Sequence, residues 1–244
     1  MESVSNTYNL NGTSILKLGL IDGIPIAVGY MPVALTFGLL AGATGLTIME
    51  SVLMSIIVFA GASQYMALTM IALGSGAIEI ILATFIVNFR HLLMSAAIHE
   101  KAEKSSKKMR ALYAFGLTDE VFAVAATKES PVRSTYILGL GIAAYTSWVM
   151  FTAVGFYAGA FLPNLLQESM AIALYALFIA LLVPSIKKEG KKVIILAILG
   201  GLFHSIFQFW ISTGWAIMLG TMAAVFAMEV IDNLISKERE STEP

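Results

Sequence analysis

The chain has 244 residues, of which 58% are hydrophobic and 13% charged, with a net charge of −1 and a mean hydropathy of +0.82. That is too little polar surface to coat a soluble globule, so the sequence reads as an integral membrane protein, and no acidic or basic excess points to nucleic acid. The lack of cysteine excludes disulfides, thiolate catalysis and cysteine-held metals.

Residues 1–16 read as a polar N-terminal tail without the basic start and small-residue cleavage site of a signal peptide. Residues 17–235 then read as a single transmembrane domain, and 236–244 as a short cytoplasmic tail. Apolar runs of spanning length cover 19–42, 48–73, 77–98, 136–162, 169–186, 193–209 and 214–231. None alternates like a barrel strand, so the prediction is all-α: a polytopic helical bundle of about seven spanning helices. An eighth stretch, 111–127, is short and interrupted by Thr118, Asp119 and Glu120.

Basic residues cluster at Lys101, Lys104, Lys107, Lys108 and Arg110, at Lys128 and Arg133, at Lys187, Lys188, Lys191 and Lys192, and at Lys237 and Arg239. Short loops rich in Lys and Arg stay in the cytoplasm. All these clusters become cytoplasmic if 111–127 enters and leaves on one side, as a re-entrant or buried segment. The predicted topology is therefore an outside N-terminus and a cytoplasmic C-terminus in a multi-pass cell-membrane protein.

Three places predict discontinuous helices, which are tolerated at membrane depth only against protein or a water-filled cavity. Pro25 and Pro32 interrupt the first span, because each lacks an N–H and crowds the preceding turn. Gly61, Ala62, Ser63 and Gln64 interrupt the second run, and the third break runs from Phe115 through Gly116 to Glu120. Gly19 with Gly23, Gly38 with Gly42, and Gly155 with Gly159 have the spacing that lets helices approach closely in lipid. Gly61, Ser63 and Gln64 also echo Gly116, Thr118 and Asp119, and Gly38 with Gly42 echoes Gly155 with Gly159, but at offsets that no single duplication explains.

Polar side chains inside these runs are the candidate functional residues, since each is costly in hydrocarbon. Thr84, Asn88, His91 and Ser95 share one helix face, and Arg90 points away from that stripe. Arg90 either snorkels to the cytoplasmic headgroups or pairs with Asp119 or Glu120. Thr118, Asp119 and Glu120 read as a capped helix start, either at the membrane interface or within it, where the acids meet the positive end of the helix dipole. Gly61, Ser63 and Gln64 read either as a helix restart whose free N–H groups suit a carboxylate, or as a packing notch with polar side chains bonded back to the helix. His204, Ser205 and Gln208 could form a proton relay or merely pack. His91, His99 and His204 show no metal spacing, and no hydrolase, phosphate-loop or dinucleotide motif is found, so neither an enzyme, nor a metal, nor a cofactor is expected.

The stretches 59–65 (F-A-G-A-S-Q-Y), 88–93 (N-F-R-H-L-L) and 117–122 (L-T-D-E-V-F) resemble the AzlC family, the large subunits of azaleucine-resistance branched-chain amino acid exporters. The opening G-I-P-I-A-V-G-Y-M-P from Gly23 and the late L-L-V-P from Leu181 are similar too. The resemblance implies a secondary transporter that exports Val, Leu, Ile and analogues with a small membrane subunit of the AzlD type. The residues themselves suggest how a zwitterion would be held. Gly61, Ser63 and Gln64 would take the carboxylate and Asp119 the ammonium, with Asn88, His91, Thr118 and Glu120 completing the site and Arg90 balancing the acid. A neutral zwitterion gains no work from the membrane potential, so uphill export requires a coupling ion, read here as a proton. The rival readings are a sensor or scaffold subunit that carries nothing, and a membrane-embedded enzyme.

Overall fold

A computed structural model describes residues 12–159, 161, 163, 179, 182–183, 186–187, 190–211 and 213–242. Among them the secondary structure is all-helical: α1 (Gly12–Asp22), α2 (Ile24–Ala43), α3 (Ile48–Ile57), α4 (Gly61–Ala72), α5 (Ala77–Lys101), α6 (Lys107–Phe115), α7 (Asp119–Ala126), α8 (Ser134–Gly159), α9 (Lys191–Phe207) and α10 (Thr213–Thr242). Among the described residues four segments are long and apolar enough to cross a membrane: Ile24–Ala43, Ala77–Lys101, Ser134–Gly159 and Gly214–Leu234. The all-α membrane bundle expected from the sequence is borne out. The span expected at 169–186 lies almost wholly outside the described residues.

The chain divides into two compact units, one of residues 1–68 and 87–174, the other of 69–86 and 175–244. In the first, α2 and α8 form a close parallel pair. A Cβ on Gly38 would stand 2.0 Å from the Thr152 carbonyl oxygen, and one on Gly155 2.0 Å from that of Leu35. Lower down, a Cβ on Gly19 would meet the Tyr136 carbonyl oxygen at 2.2 Å, and one on Gly139 the Leu16 carbonyl oxygen at 2.5 Å. Only hydrogen fits at these crossings, so the glycine spacing works within the chain. Because Gly19 meets Gly139 and Leu35 meets Gly155, both helices run the same way.

The lower end of this pair also holds the end of α5 and the ends of the α6–α7 segment. The Glu103 N–H donates to the Val132 carbonyl at 2.8 Å, and Arg133 pairs with Glu103 at 3.2 Å. Asp22 accepts from Lys128 at 3.0 Å and from the Tyr136 hydroxyl at 2.6 Å. The Tyr136 hydrogen bond above all holds the Asp22 carboxyl below its ordinary range; burial, the next largest effect, opposes it and Lys128 adds to it. This end carries Lys101, Lys104, Lys107, Lys108, Arg110, Lys128 and Arg133, which marks it as cytoplasmic.

From that end α6 rises to Phe115 and stops at the Gly116 C-cap. The chain turns through Leu117, restarts at Thr118, whose hydroxyl accepts from the Val121 N–H, and α7 returns to Ala126. There the Ala126 carbonyl accepts a hydrogen bond from the Lys101 ammonium. The segment is thus a re-entrant helical hairpin, entering and leaving on the cytoplasmic side.

Residues 48–73, expected to cross as one span, form another re-entrant hairpin, the first in chain order, which enters from the opposite end to the α6–α7 hairpin. Thr47 and Glu50 close a capping box at the start of α3, near the far end of α2. The helix breaks at Val58 to Ala60, where Phe59 takes a positive φ of 39° that no helix continues through. Then α4 heads back: Gly61 lies against the Trp148 ring, and Tyr65 reaches the Phe37 ring and the Val33 carbonyl nearer the far end of α2. With this run doubled back, α2 begins at the cytoplasmic end, which corrects the outside N-terminus. A hydropathy run of this length is the same whether it crosses or folds on itself.

Pro32 is likewise corrected as a break, since α2 runs through it. The proline removes one N–H, which leaves the Val28 carbonyl without its helical donor, and one turn later the Thr36 hydroxyl donates to the Pro32 carbonyl at 2.8 Å. Pro25 sits in the first turn of α2, just after Gly23 separates it from α1, where a missing N–H costs nothing.

In the second unit α9 and α10 pack side by side, with a Cβ on Gly220 only 2.9 Å from the His204 backbone nitrogen. The Ser205 hydroxyl donates to the Gly201 carbonyl of its own helix at 2.9 Å, Gln208 serves as C-cap, and the buried His204 Nδ1 has no protein partner.

Candidate functional site

The two hairpin tips meet midway along α8. Phe59 from the first and Phe115 from the second lie 6.3 Å apart between ring centres, and both rest on Tyr145 of α8, at 5.0 and 5.8 Å. Tyr30 of α2 closes the group, 6.5 Å from Phe59 and 5.2 Å from Trp148. At this depth two short helices start, α4 at Gly61 and α7 at Asp119. A helix start presents unpaired N–H groups and the positive end of the dipole, which makes it an anion-attracting place in a low dielectric.

Within one turn, α5 supplies a side chain to each start. Asn88 Nδ2 donates to Ser63 Oγ at 3.0 Å, and Arg90 Nη1 stands 2.8 Å from Asp119 Oδ2. Arg90 therefore holds an acid of the second hairpin. Its side chain is 34% exposed and that of Asp119 31%, so the pair is neither sealed from solvent nor fully open to it. The cost of the pair at membrane depth is better explained by a polar role than by holding the fold.

Beside it, the Tyr30 hydroxyl is 2.8 Å from Thr118 Oγ1 and hydrogen-bonds to the Glu120 carboxylate. The two acids at the start of α7 thus have different partners: Asp119 a guanidinium, Glu120 a phenol. His91 follows Arg90 on α5 and is half-buried.

At the other start the polar groups largely satisfy one another. Ser63 Oγ donates to the Ala60 carbonyl at 2.9 Å, Gln64 Nε2 donates to Ser55 Oγ at 3.1 Å, and Ser55 shares a hydrogen bond with Thr152 at 2.8 Å. Gly61 is small because a Cβ there would come within 2.8 Å of the Trp148 ring. These are the features of the packing-notch reading, though the helix does restart there. Four buried atoms around the tips lack a protein partner: Gln64 Oε1, Asn88 Oδ1, Arg90 Nε and Trp148 Nε1. Buried polar atoms without partners cost free energy unless a water or ligand meets them.

The structure thus brings Gly61, Ser63, Gln64, Asn88, Arg90, Thr118, Asp119 and Glu120 to the two tips. The Thr84 hydroxyl donates to the Ile80 and Ile81 carbonyls of its own helix. Tyr30, Trp148, Phe59 and Tyr145 are neighbours that the sequence reading passed over. The signals were the position of Tyr30 between two prolines and the presence of Tyr30 and Phe59 in the stretches that carry the family resemblance; an aromatic residue in an apolar run otherwise looks like packing.

Comparison with known proteins bears on the whole of this region. The family model described as AzlC protein matches residues 25–162, which include both hairpins. An uncharacterized membrane protein of Archaeoglobus fulgidus is 35% identical over 182 residues, 74% of this chain and 80% of the relative. Inner membrane protein YgaZ of Escherichia coli is 32% identical over 199 residues, 78% of this chain and 81% of the relative. The branched-chain amino acid transport protein AzlC of Bacillus subtilis is 25% identical over 171 residues, 69% of this chain and 66% of the relative. No solved structure matches. With the model covering more than half of its length and two such relatives above 30% identity, this chain is an integral membrane protein of the AzlC family.

Proposed function

We propose that the protein is a secondary transporter that exports branched-chain amino acids, working with a small membrane subunit of the AzlD type and driven by a proton. The observation that carries the reading is the pairing of Asn88 and Arg90, one turn of α5, with the starts of two short helices, each the returning arm of a hairpin, the two hairpins entering from opposite ends. Discontinuous helices that meet near mid-membrane are a common way to hold a polar solute there. The name of the Bacillus subtilis relative supports the substrate class.

In this reading the α4 start, with Gly61, Ser63 and Gln64, receives the carboxylate, and the unpartnered Trp148 Nε1–H supplies a further donor beside it. The acids at the α7 start receive the ammonium: Asp119 exchanges Arg90 for the substrate, while Tyr30 and Thr118 orient Glu120. The rings of Phe59, Phe115 and Tyr145 offer the apolar side chain a surface. Arg90 would neutralise Asp119 whenever no amino acid is bound, so no lone charge is left at membrane depth.

The test is efflux from cells loaded with a branched-chain dipeptide and expressing the chain with its small subunit. Asp119→Asn and Arg90→Gln should each lower efflux at least about tenfold, a loss of roughly 1.4 kcal/mol or more in the transport step. Collapse of the proton gradient at constant potential should do the same. Full efflux from both well-expressed variants would remove the pair from the mechanism, and efflux indifferent to the gradient would remove the proton. A sensor or scaffold would show no flux after reconstitution with the small subunit.

A further inference from the structure

At the cytoplasmic end of the first unit, away from the hairpin tips, α5 and α6 diverge and leave a groove of about 470 Å³. Ser95, Ala96 and His99 line it from α5, and Lys107, Arg110, Ala111, Tyr113 and Ala114 from α6. On each helix the named side chains recur at one-turn spacing, so two faces confront each other. Small residues on both faces account for the space between them.

The groove is graded along its length. Because α5 ends at the cytoplasmic side and α6 begins there, His99, Lys107 and Arg110 fall at the rim, while Ser95, Ala96, Ala111 and Ala114 lie deeper. Arg110 Nη1 is 3.4 Å from His99 Nε2, which holds two of the rim groups together across the gap. Among the described residues no acid lines the groove. Of the nearby carboxylates, Glu103 is bound to Arg133 and the Ser134 N–H. Leu92 on α5 and Leu112 and Phe115 on α6 are exposed by 61%, 57% and 49%, extending an apolar surface towards the bilayer interior. At the rim, α6 also begins, with Ser106 capping the Met109 N–H, so the positive end of a helix dipole points the same way as the side chains.

We propose that this groove is a binding site for an anionic phospholipid of the cytoplasmic leaflet. Its phosphate would sit between Lys107, Arg110 and His99, and one acyl chain would run down past Ala96, Ala111 and Ala114. Basic pockets between membrane helices on this side select acidic headgroups, because the lysine and arginine charges act where water is already thinned. A free phosphate would use the rim alone and leave the apolar depth unfilled. The occupant that matches both halves is a lipid.

The test uses the full chain in neutral detergent, titrated with tail-labelled phosphatidylglycerol, with phosphatidylcholine of the same tails, and with glycerol phosphate. The expected result is saturable binding of one phosphatidylglycerol per chain, well ahead of the other two. Lys107→Gln with Arg110→Gln should weaken it at least about tenfold, since each basic residue contributes severalfold near such a surface. Lys104→Gln, exposed on the same end but outside the groove, should not. Ala111→Leu with Ala114→Leu keeps every rim charge and fills the depth, and should also displace the lipid. Equal binding of both lipids would overturn the charge selection, and equal binding of glycerol phosphate would overturn the lipid as occupant. Unchanged binding in either double variant would overturn the site itself.

Discussion

Asp22, the last residue of α1, lies 3.0 Å from Lys128, two residues past the end of α7. Charge patterning alone set these two residues on opposite faces of the membrane. Their contact puts the start of α2 and both ends of the second hairpin on one side. Since the chain has no cysteine of its own, single cysteines report this directly. Lys17→Cys and Lys104→Cys should both react with an impermeant thiol reagent from the cytoplasmic side, and Thr44→Cys from the opposite side. Labelling of Lys17→Cys and Lys104→Cys from different sides would restore a single crossing over residues 48–73.

Tyr30→Phe keeps the ring that packs on Trp148 and Phe59 but removes the hydroxyl shared by Thr118 and Glu120. Loss of a partner from a polar group at this depth costs about 1 to 3 kcal/mol. Efflux should fall about tenfold or more, whereas thermal stability in detergent should drop only modestly. Wild-type efflux would show that the hydroxyl merely packs.

Glu120→Gln and Asp119→Asn should differ. Asp119 neutralises Arg90, so Asp119→Asn leaves a cation alone at the tips, whereas Glu120→Gln still accepts a hydrogen bond from Tyr30. Both should impair efflux, but only Asp119→Asn should be improved by a second change, Arg90→Gln, when the yield of folded protein is measured. Identical yields across all three would mean that the pair is wetted too well to matter.

The crossing of α2 and α8 admits no side chain. Gly38→Leu and Gly155→Leu each place carbon where a carbonyl oxygen stands, 2.0 Å from a Cβ. Overpacking of this kind costs about 1 to 3 kcal/mol, or more where backbone must move. A clear fall in melting temperature is expected for both, while Gly29→Ala, with nothing within 4 Å, should change little.

Composition by itself determined the solvent: with so few charges the chain has to live in a bilayer, and helices are the only spanning form its pattern allows. The helix restarts at Gly61 and Asp119 were readable as well, because glycine and Thr-Asp-Glu stop and start helices through local chemistry that needs no neighbours. Arg90 posed a question with two readings, snorkelling to the headgroups or pairing with Asp119 or Glu120. What the tertiary structure decided is direction and choice. It doubled back the apolar run at 48–73, because Phe59 turns and Tyr65 reaches Val33. It gave Arg90 to Asp119 and Tyr30 to Glu120, because the hairpins enter from opposite ends and present successive residues of α7 to different helices. Hydropathy measures how apolar a segment is, a scalar that carries no sign along the membrane normal. Only packing against another helix supplies that sign.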